Sequence, residues 1–136
     1  MLDDEYFKAL QERGQGVNPL FAHLGATLDS VSREEVRLRL AVSKYLLQGA
    51  GVVAGGILAT MADEAMAHVV MANLKAGAKT ATIEMNMRYL RSAREGTLFA
   101  VGRIARQGRT IITTESEVLD QDNNLLALAG ASFMVM

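Results

Sequence analysis

The stretch Leu46-Leu-Gln-Gly-Ala-Gly-Val-Val-Ala-Gly-Gly-Ile-Leu-Ala-Thr-Met-Ala-Asp63 decides how this chain is read. Glycines at 49, 51, 55 and 56 lead straight into a long apolar helix, predicted from about 55 to 74, with Asp63 two turns in. No Ser, Thr, Asp or Asn stands just before that helix to cap its first N–H groups. Those donors need water, other protein groups or a ligand, and the helix dipole there favours developing negative charge. Donors at a helix mouth together with a carboxylate in an apolar setting form a set that can attack a carbonyl.

The helix has two unlike faces. At 100° per residue, Leu58, Met61, Ala65, Val69 and Ala72 fall on one side, suited to packing on a sheet. Gly56, Ala59, Thr60, Asp63 and Ala67 fall on the other, a small-residue face that a partner helix or a substrate can approach closely. Glu64 and His68, spaced i, i+4, are expected to form a local pair on the flank.

Working outward, residues 3–13 read as an amphipathic helix on the spacing of Leu2, Tyr6 and Leu10, with Arg13 near its end and Gly14 ending it. Asn18-Pro19 marks a turn, and strands are expected over 24–31 and 36–42. After the long helix, which is expected to end near Gly77, the period changes to two. Ile83, Met85, Met87 and Tyr89 alternate with Thr82, Glu84, Asn86 and Arg88. Further strands fit 97–106, 110–120 and 125–135, with turns at 94–96, 107–108 and 120–124. The order α-β-β-α-β-β-β-β gives an α+β class, a curved antiparallel sheet around one greasy helix.

Bulk properties exclude several functions. A chain of 136 residues is expected to be one domain spanning 1–136, with its N-terminal helix and turn over 1–19. Fourteen basic against fifteen acidic side chains leave a net charge of −1, which argues against nucleic acid or an anionic membrane recognised by charge. The absence of cysteine removes thiolate chemistry and Cys-based metal sites, and two histidines make a metal centre unexpected. The acidic opening Met1–Tyr6 does not read as a secretory signal, and Asp63, Glu64 and His68 interrupt the most apolar run. The expectation is a cytoplasmic, self-associating protein. No Gly-x-Ser-x-Gly elbow, dinucleotide glycine motif or phosphate loop is present. The eight methionines read as adaptable core, a few of them available to line an acyl pocket.

At Gln48, Ala54-Gly55-Gly56 and Asp63 the chain resembles the hotdog-fold acyl-CoA thioesterases of the phenylacetate-degradation type. Their signature runs Asn/Gln, a Gly-containing loop, His-Gly-Gly, then an acid in the next helix. Thr80–Leu90 resembles the family's first strand after the helix, Arg91-Ser-Ala-Arg-Glu-Gly96 its following turn, and Gln107–Thr110 and Leu126–Phe133 also fit. The resemblance implies Asp63 as nucleophile or general base, the Gly55 N–H polarising the thioester carbonyl, and Gln48 positioning substrate or water. It implies a water-orienting hydroxyl at Thr82, although strand alternation groups Thr82 with Glu84 and Arg88. Ala54 stands where the family commonly has histidine, beside Gly56 at the substrate. Arg88, Arg91 and Arg94 are candidates to meet the CoA phosphates. CoA enters as part of the substrate, and no separate cofactor is expected.

Asp63 follows Gly55 by eight residues, roughly 12 Å along one helix. A base or nucleophile must come within about 3–3.5 Å of the carbonyl whose oxygen the N–H holds. Two antiparallel helices across a two-fold axis meet that need, so a homodimer, or a tetramer made of dimers, is expected, with composite sites. The competing expectations are a silent hotdog module that binds an acyl ligand, which Ala54 favours, and a dehydratase, which wants a histidine–acid pair.

Overall fold

Apolar residues on one side of Gly55–Met71 (helix α3) need a surface to cover them, and a six-stranded antiparallel sheet curves around that side. The computed structural model describes residues 5–75 and 77–136. Two short helices, α1 (Glu5–Arg13) and α2 (Pro19–Leu24), precede strands β1 (Ala26–Val31) and β2 (Glu35–Ala41). After α3 come β3 (Thr80–Tyr89), β4 (Thr97–Gln107), β5 (Ile111–Asp120) and β6 (Leu125–Val135). The sheet order is β1-β2-β4-β5-β6-β3, which leaves β3 at one edge. This is the hotdog architecture expected from the sequence. Leu2 and residues 3–4 of the expected first helix lie outside the described residues.

The core lies between α3 and the concave face of the sheet. Leu58, Met61, Ala65, Val69 and Ala72 are buried, as the helical spacing predicted. Leu58, Met61, Ala65 and Val69 join Leu38 and Leu40 of β2, Leu98 and Ala100 of β4, Val118 of β5 and Ala127 and Phe133 of β6 in one buried cluster. Among the described residues no helix is long and apolar enough to cross a membrane. Close approach of α3 to the sheet depends on Gly102. A Cβ there would lie 2.4 Å from the Ala65 carbonyl oxygen, so only hydrogen fits between strand and helix.

Asn18-Pro19 does more than turn the chain. Asn18 caps α2, its Oδ1 accepting the Phe21 N–H at 3.1 Å, Pro19 occupies the first helical turn, and Gly25 closes the helix at φ +80°. The strand expected from residue 24 therefore starts at Ala26, and His23 sits on a helix.

The expected Glu64–His68 side-chain pair takes another form. His68 is 3 % exposed and its Nδ1 bonds the Glu64 backbone carbonyl at 2.6 Å. A carbonyl only accepts, so Nδ1 carries the proton. In the neutral ring Nε2 then accepts from the Tyr6 hydroxyl at 2.8 Å, and Tyr6 accepts from the Asn18 amide at 2.9 Å. Phe21 stacks on the imidazole and Phe7 meets its edge. Burial pushes the His68 pKa down, against the smaller opposing effect of its bond to Glu64. Thus α1 and α2 are pinned to α3 through a neutral histidine.

Candidate active site

Three elements converge at the start of α3. The chain from Leu46 to Ala54 folds as a tight hairpin: the Val53 N–H donates to Ala93, the Ala54 N–H to Leu46 and the Gln48 N–H to Val52. Gly51 sits at φ +81°, which explains a glycine there. Ala54 occupies the cap position without a side-chain cap, as the sequence required. Its carbonyl accepts from the Ile57 N–H at 2.9 Å, closing the first turn tightly. The N–H groups of Gly55 and Gly56 have no partner among the described residues. The helix mouth therefore offers two donors, both on glycine.

Gly55 lines a cavity of about 350 Å³ together with Gln48, Val52, Leu58, Tyr89 and Arg91, among others. Gln48, Gly55 and Arg91 thus come together, as three of the residues picked out in the sequence. The Gln48 side-chain oxygen also accepts the Ala50 N–H, which turns it back onto its own loop. Tyr89 closes the other wall, its hydroxyl donating to the Gly55 carbonyl at 3.0 Å. Strand alternation placed Tyr89 on one face of β3 but carried no sign of this bond, which joins residues 34 apart.

Asp63 lies on the partly exposed face of α3, and the Thr82 hydroxyl donates to its Oδ1 at 2.9 Å. Strict alternation would send Thr82 away from the helix, with Glu84 and Arg88. A bulge between Thr82 and Glu84 reverses it: Thr82 pairs with Phe133 and Glu84 with Ser132, so the extra residue Ile83 swings Thr82 toward α3. Asp63 Oδ2 has no partner among the described residues. Next to it, burial and then the Asp63 charge push the Glu64 pKa up.

Arg88 is placed elsewhere. Met85 and Met87 pack on the core, so Arg88 emerges on the opposite sheet face, lining a depression of about 410 Å³ with Asn86, Arg103 and Glu117. Arg103 there is held by Glu35 at 3.0 Å and Glu117 at 3.3 Å. Gly55 and Asp63 sit at the two ends of a roughly 12 Å length of α3. No cluster of potential metal ligands occurs among the described residues.

A hotdog fold with uncapped N–H donors at its helix mouth and an acid on the same helix defines a class of protein, and sequence comparison gives the family. The profile of the thioesterase superfamily matches residues 50–127, which take in the end of the hairpin, α3 and strands β3 to β5. The chain belongs to that superfamily. A protein of Halobacterium salinarum, provisionally named an esterase, is 34 % identical over 127 residues, covering 85 % of this chain and 83 % of that protein. A provisionally named esterase of Deinococcus radiodurans is 39 % identical over 107 residues, 77 % of this chain and 70 % of its own. Among solved structures, a provisionally named thioesterase of Ralstonia eutropha JMP134, described as phenylacetic acid degradation-related, superposes with a TM-score of 0.85 at 30 % identity. That match covers 95 % of this chain and 98 % of the other. The thioesterase HI1161 of Haemophilus influenzae shares the fold, with a TM-score of 0.83 at 21 % identity over 88 % of this chain and 83 % of its own.

Proposed function

We propose that this protein is an acyl-CoA thioesterase of the phenylacetate-degradation type, acting through one domain that spans 1–136. The observation that carries the reading is the Thr82–Asp63 hydrogen bond, which fixes one carboxylate oxygen and leaves the other for chemistry. The thioester carbonyl rests on the Gly55 N–H at the helix mouth, with Ala54 and Gly56 flanking it and Gln48 and Arg91 beside it. Asp63, ionised, takes a proton from water as the water oxygen attacks the carbonyl carbon. Negative charge grows on the carbonyl oxygen, facing the N–H and the positive end of the helix dipole. The C–S bond then breaks, and the CoA thiolate leaves and takes up a proton. Direct attack by Asp63 to give a mixed anhydride, followed by hydrolysis, balances equally well.

Since roughly 12 Å of helix separate Gly55 from Asp63, each site draws Gly55 from one subunit and Asp63 from its partner. The small-residue face of α3 and the open edge of β3 both support a second copy, in a homodimer or a dimer of dimers. Arg91 is the better placed of the arginines to meet CoA phosphates beside this cavity, while Arg88 serves that role only across a subunit boundary.

A silent acyl-CoA-binding module is the second reading, favoured by Ala54, which leaves the helix mouth without a polar side chain. A dehydratase finds no support in His68, which is buried and committed to Glu64 and Tyr6. The test is CoA release from a panel of acyl-CoAs, followed with a thiol reagent to which a protein without cysteine contributes no background. Turnover supports the thioesterase. Saturable binding without turnover supports the module.

A further inference from the structure

Two consecutive glycines at the start of a helix are the most mobile backbone a chain can place there, yet a donor used in catalysis must be aimed. Tyr89 supplies the restraint. From the end of β3 its hydroxyl donates to the Gly55 carbonyl at 3.0 Å. Its ring lies against the same residue: a Cβ on Gly55 would sit 3.3 Å from Cε1 and from Cζ. The ring is half exposed and forms a wall of the 350 Å³ cavity.

The Gly55 carbonyl and the Gly56 N–H belong to one planar peptide group, so fixing the carbonyl fixes the direction of the N–H. A hydrogen bond accepted by the carbonyl also polarises that peptide and strengthens its N–H as a donor. The next peptide is held from within the helix, where the Thr60 hydroxyl donates to the Gly56 carbonyl at 2.8 Å. We propose that Tyr89 is a positioning residue that locks the Gly55–Gly56 peptide and aims the Gly56 N–H, beside that of Gly55, at the oxygen of a thioester in the cavity. The proposal rests on the thioesterase reading above. It gives the site a second backbone donor and assigns the holding of the helix mouth to a strand residue, in a chain whose cap position is alanine.

The test is Tyr89→Phe, which keeps the ring and removes one hydroxyl. Loss of one neutral hydrogen bond that matters in the transition state lowers kcat roughly fivefold to tenfold. KM stays within about twofold, because the ring still walls the cavity. The nitrogen-15 order parameter of the Gly56 amide falls, because the peptide is no longer held by its carbonyl, while the melting temperature holds. Unchanged kcat in an enzyme whose wild type turns over, or a lowered melting temperature with unchanged kcat, overturns the proposal. Absence of turnover in wild type refutes the thioesterase reading instead. The peptide lock is still decided in that case, since an unchanged order parameter of the Gly56 amide in Tyr89→Phe sinks it.

Discussion

Replacing Gly102 with alanine tests how the fold sets the site. The added Cβ would lie 2.4 Å from the Ala65 oxygen, 2.5 Å from the Ala65 carbonyl carbon and 2.8 Å from the Met66 nitrogen. Ordinary contact begins at 3.4 Å, so α3 must lift by about 1 Å, and the obstacle is helix backbone that cannot rotate aside. Overpacking of this kind costs about 1–3 kcal/mol, offset by about 0.4–1 kcal/mol from the reduced freedom of the unfolded chain. Because the obstacle is backbone the cost falls in the upper half of that range, and the net loss of about 1–2.6 kcal/mol lowers the melting temperature by roughly 3–13 °C for a chain of this size. Asp63 is two residues from Ala65, and a lift of about 1 Å stretches its 2.9 Å bond to Thr82 beyond hydrogen-bonding range. Thermal unfolding followed by circular dichroism reads the stability. Gly56→Ala serves as the contrast, because a Cβ there meets nothing within 4 Å and the helix gains a better former. A Gly102→Ala melting temperature within about 1 °C of wild type would refute the packing argument.

Two further outcomes follow from the same structure. Thr82→Val removes the hydroxyl that orients Asp63, and kcat for CoA release should fall by roughly threefold to tenfold with little change in fold stability, as steady-state kinetics and melting would read. Stability should also fall on acidification because of His68. Its folded pKa lies below its unfolded value of about 6.5, so the unfolded chain binds the extra proton and stability drops as pH falls below about 6.5. The slope from this one group is at most about 1.4 kcal/mol per pH unit. Glu64, with its raised pKa, works in the opposite sense, its contribution present below about 4.5 and lost as pH rises through its folded value. Urea titrations in a Glu64→Gln background isolate the histidine, and a flat profile between pH 7.5 and 5 would contradict the neutral relay of Tyr6, His68 and Asn18.

Much of this molecule was legible in its sequence. Alternation at Val36–Leu40, a period of two after residue 80 and turns at Gly96 and Asp120–Asn124 gave strands and boundaries close to those observed. Asn123 at φ +63° and the Asp120 carboxylate, which accepts from the Asn124 amide and from the N–H groups of Asp122 and Asn124, show why that last turn was readable from composition. The misses have particular causes. Helix α2 is six residues long, too short for a hydrophobic period to show, although Asn18, Pro19 and Gly25 carried its cap signals. The Thr82 bulge has no local signature, since it is set by pairing with β6 across fifty residues. His68 looked like half of a local pair on the helix flank because its covers, Tyr6, Phe7 and Phe21, come from 47 or more positions upstream. Gln48, Gly55 and Arg91, picked out through the family resemblance, line one cavity, and Tyr89 beside them went unmarked because its bond to the Gly55 carbonyl joins a strand to a helix.

The most direct measurement is steady-state CoA release by Asp63→Asn against wild type, on whichever acyl-CoA wild type turns over best. Asparagine keeps the shape and can still accept from Thr82, but it supplies neither base nor nucleophile. The account predicts a fall in kcat of at least about a hundredfold with acyl-CoA binding intact. A variant that keeps kcat within a few fold of wild type would contradict it.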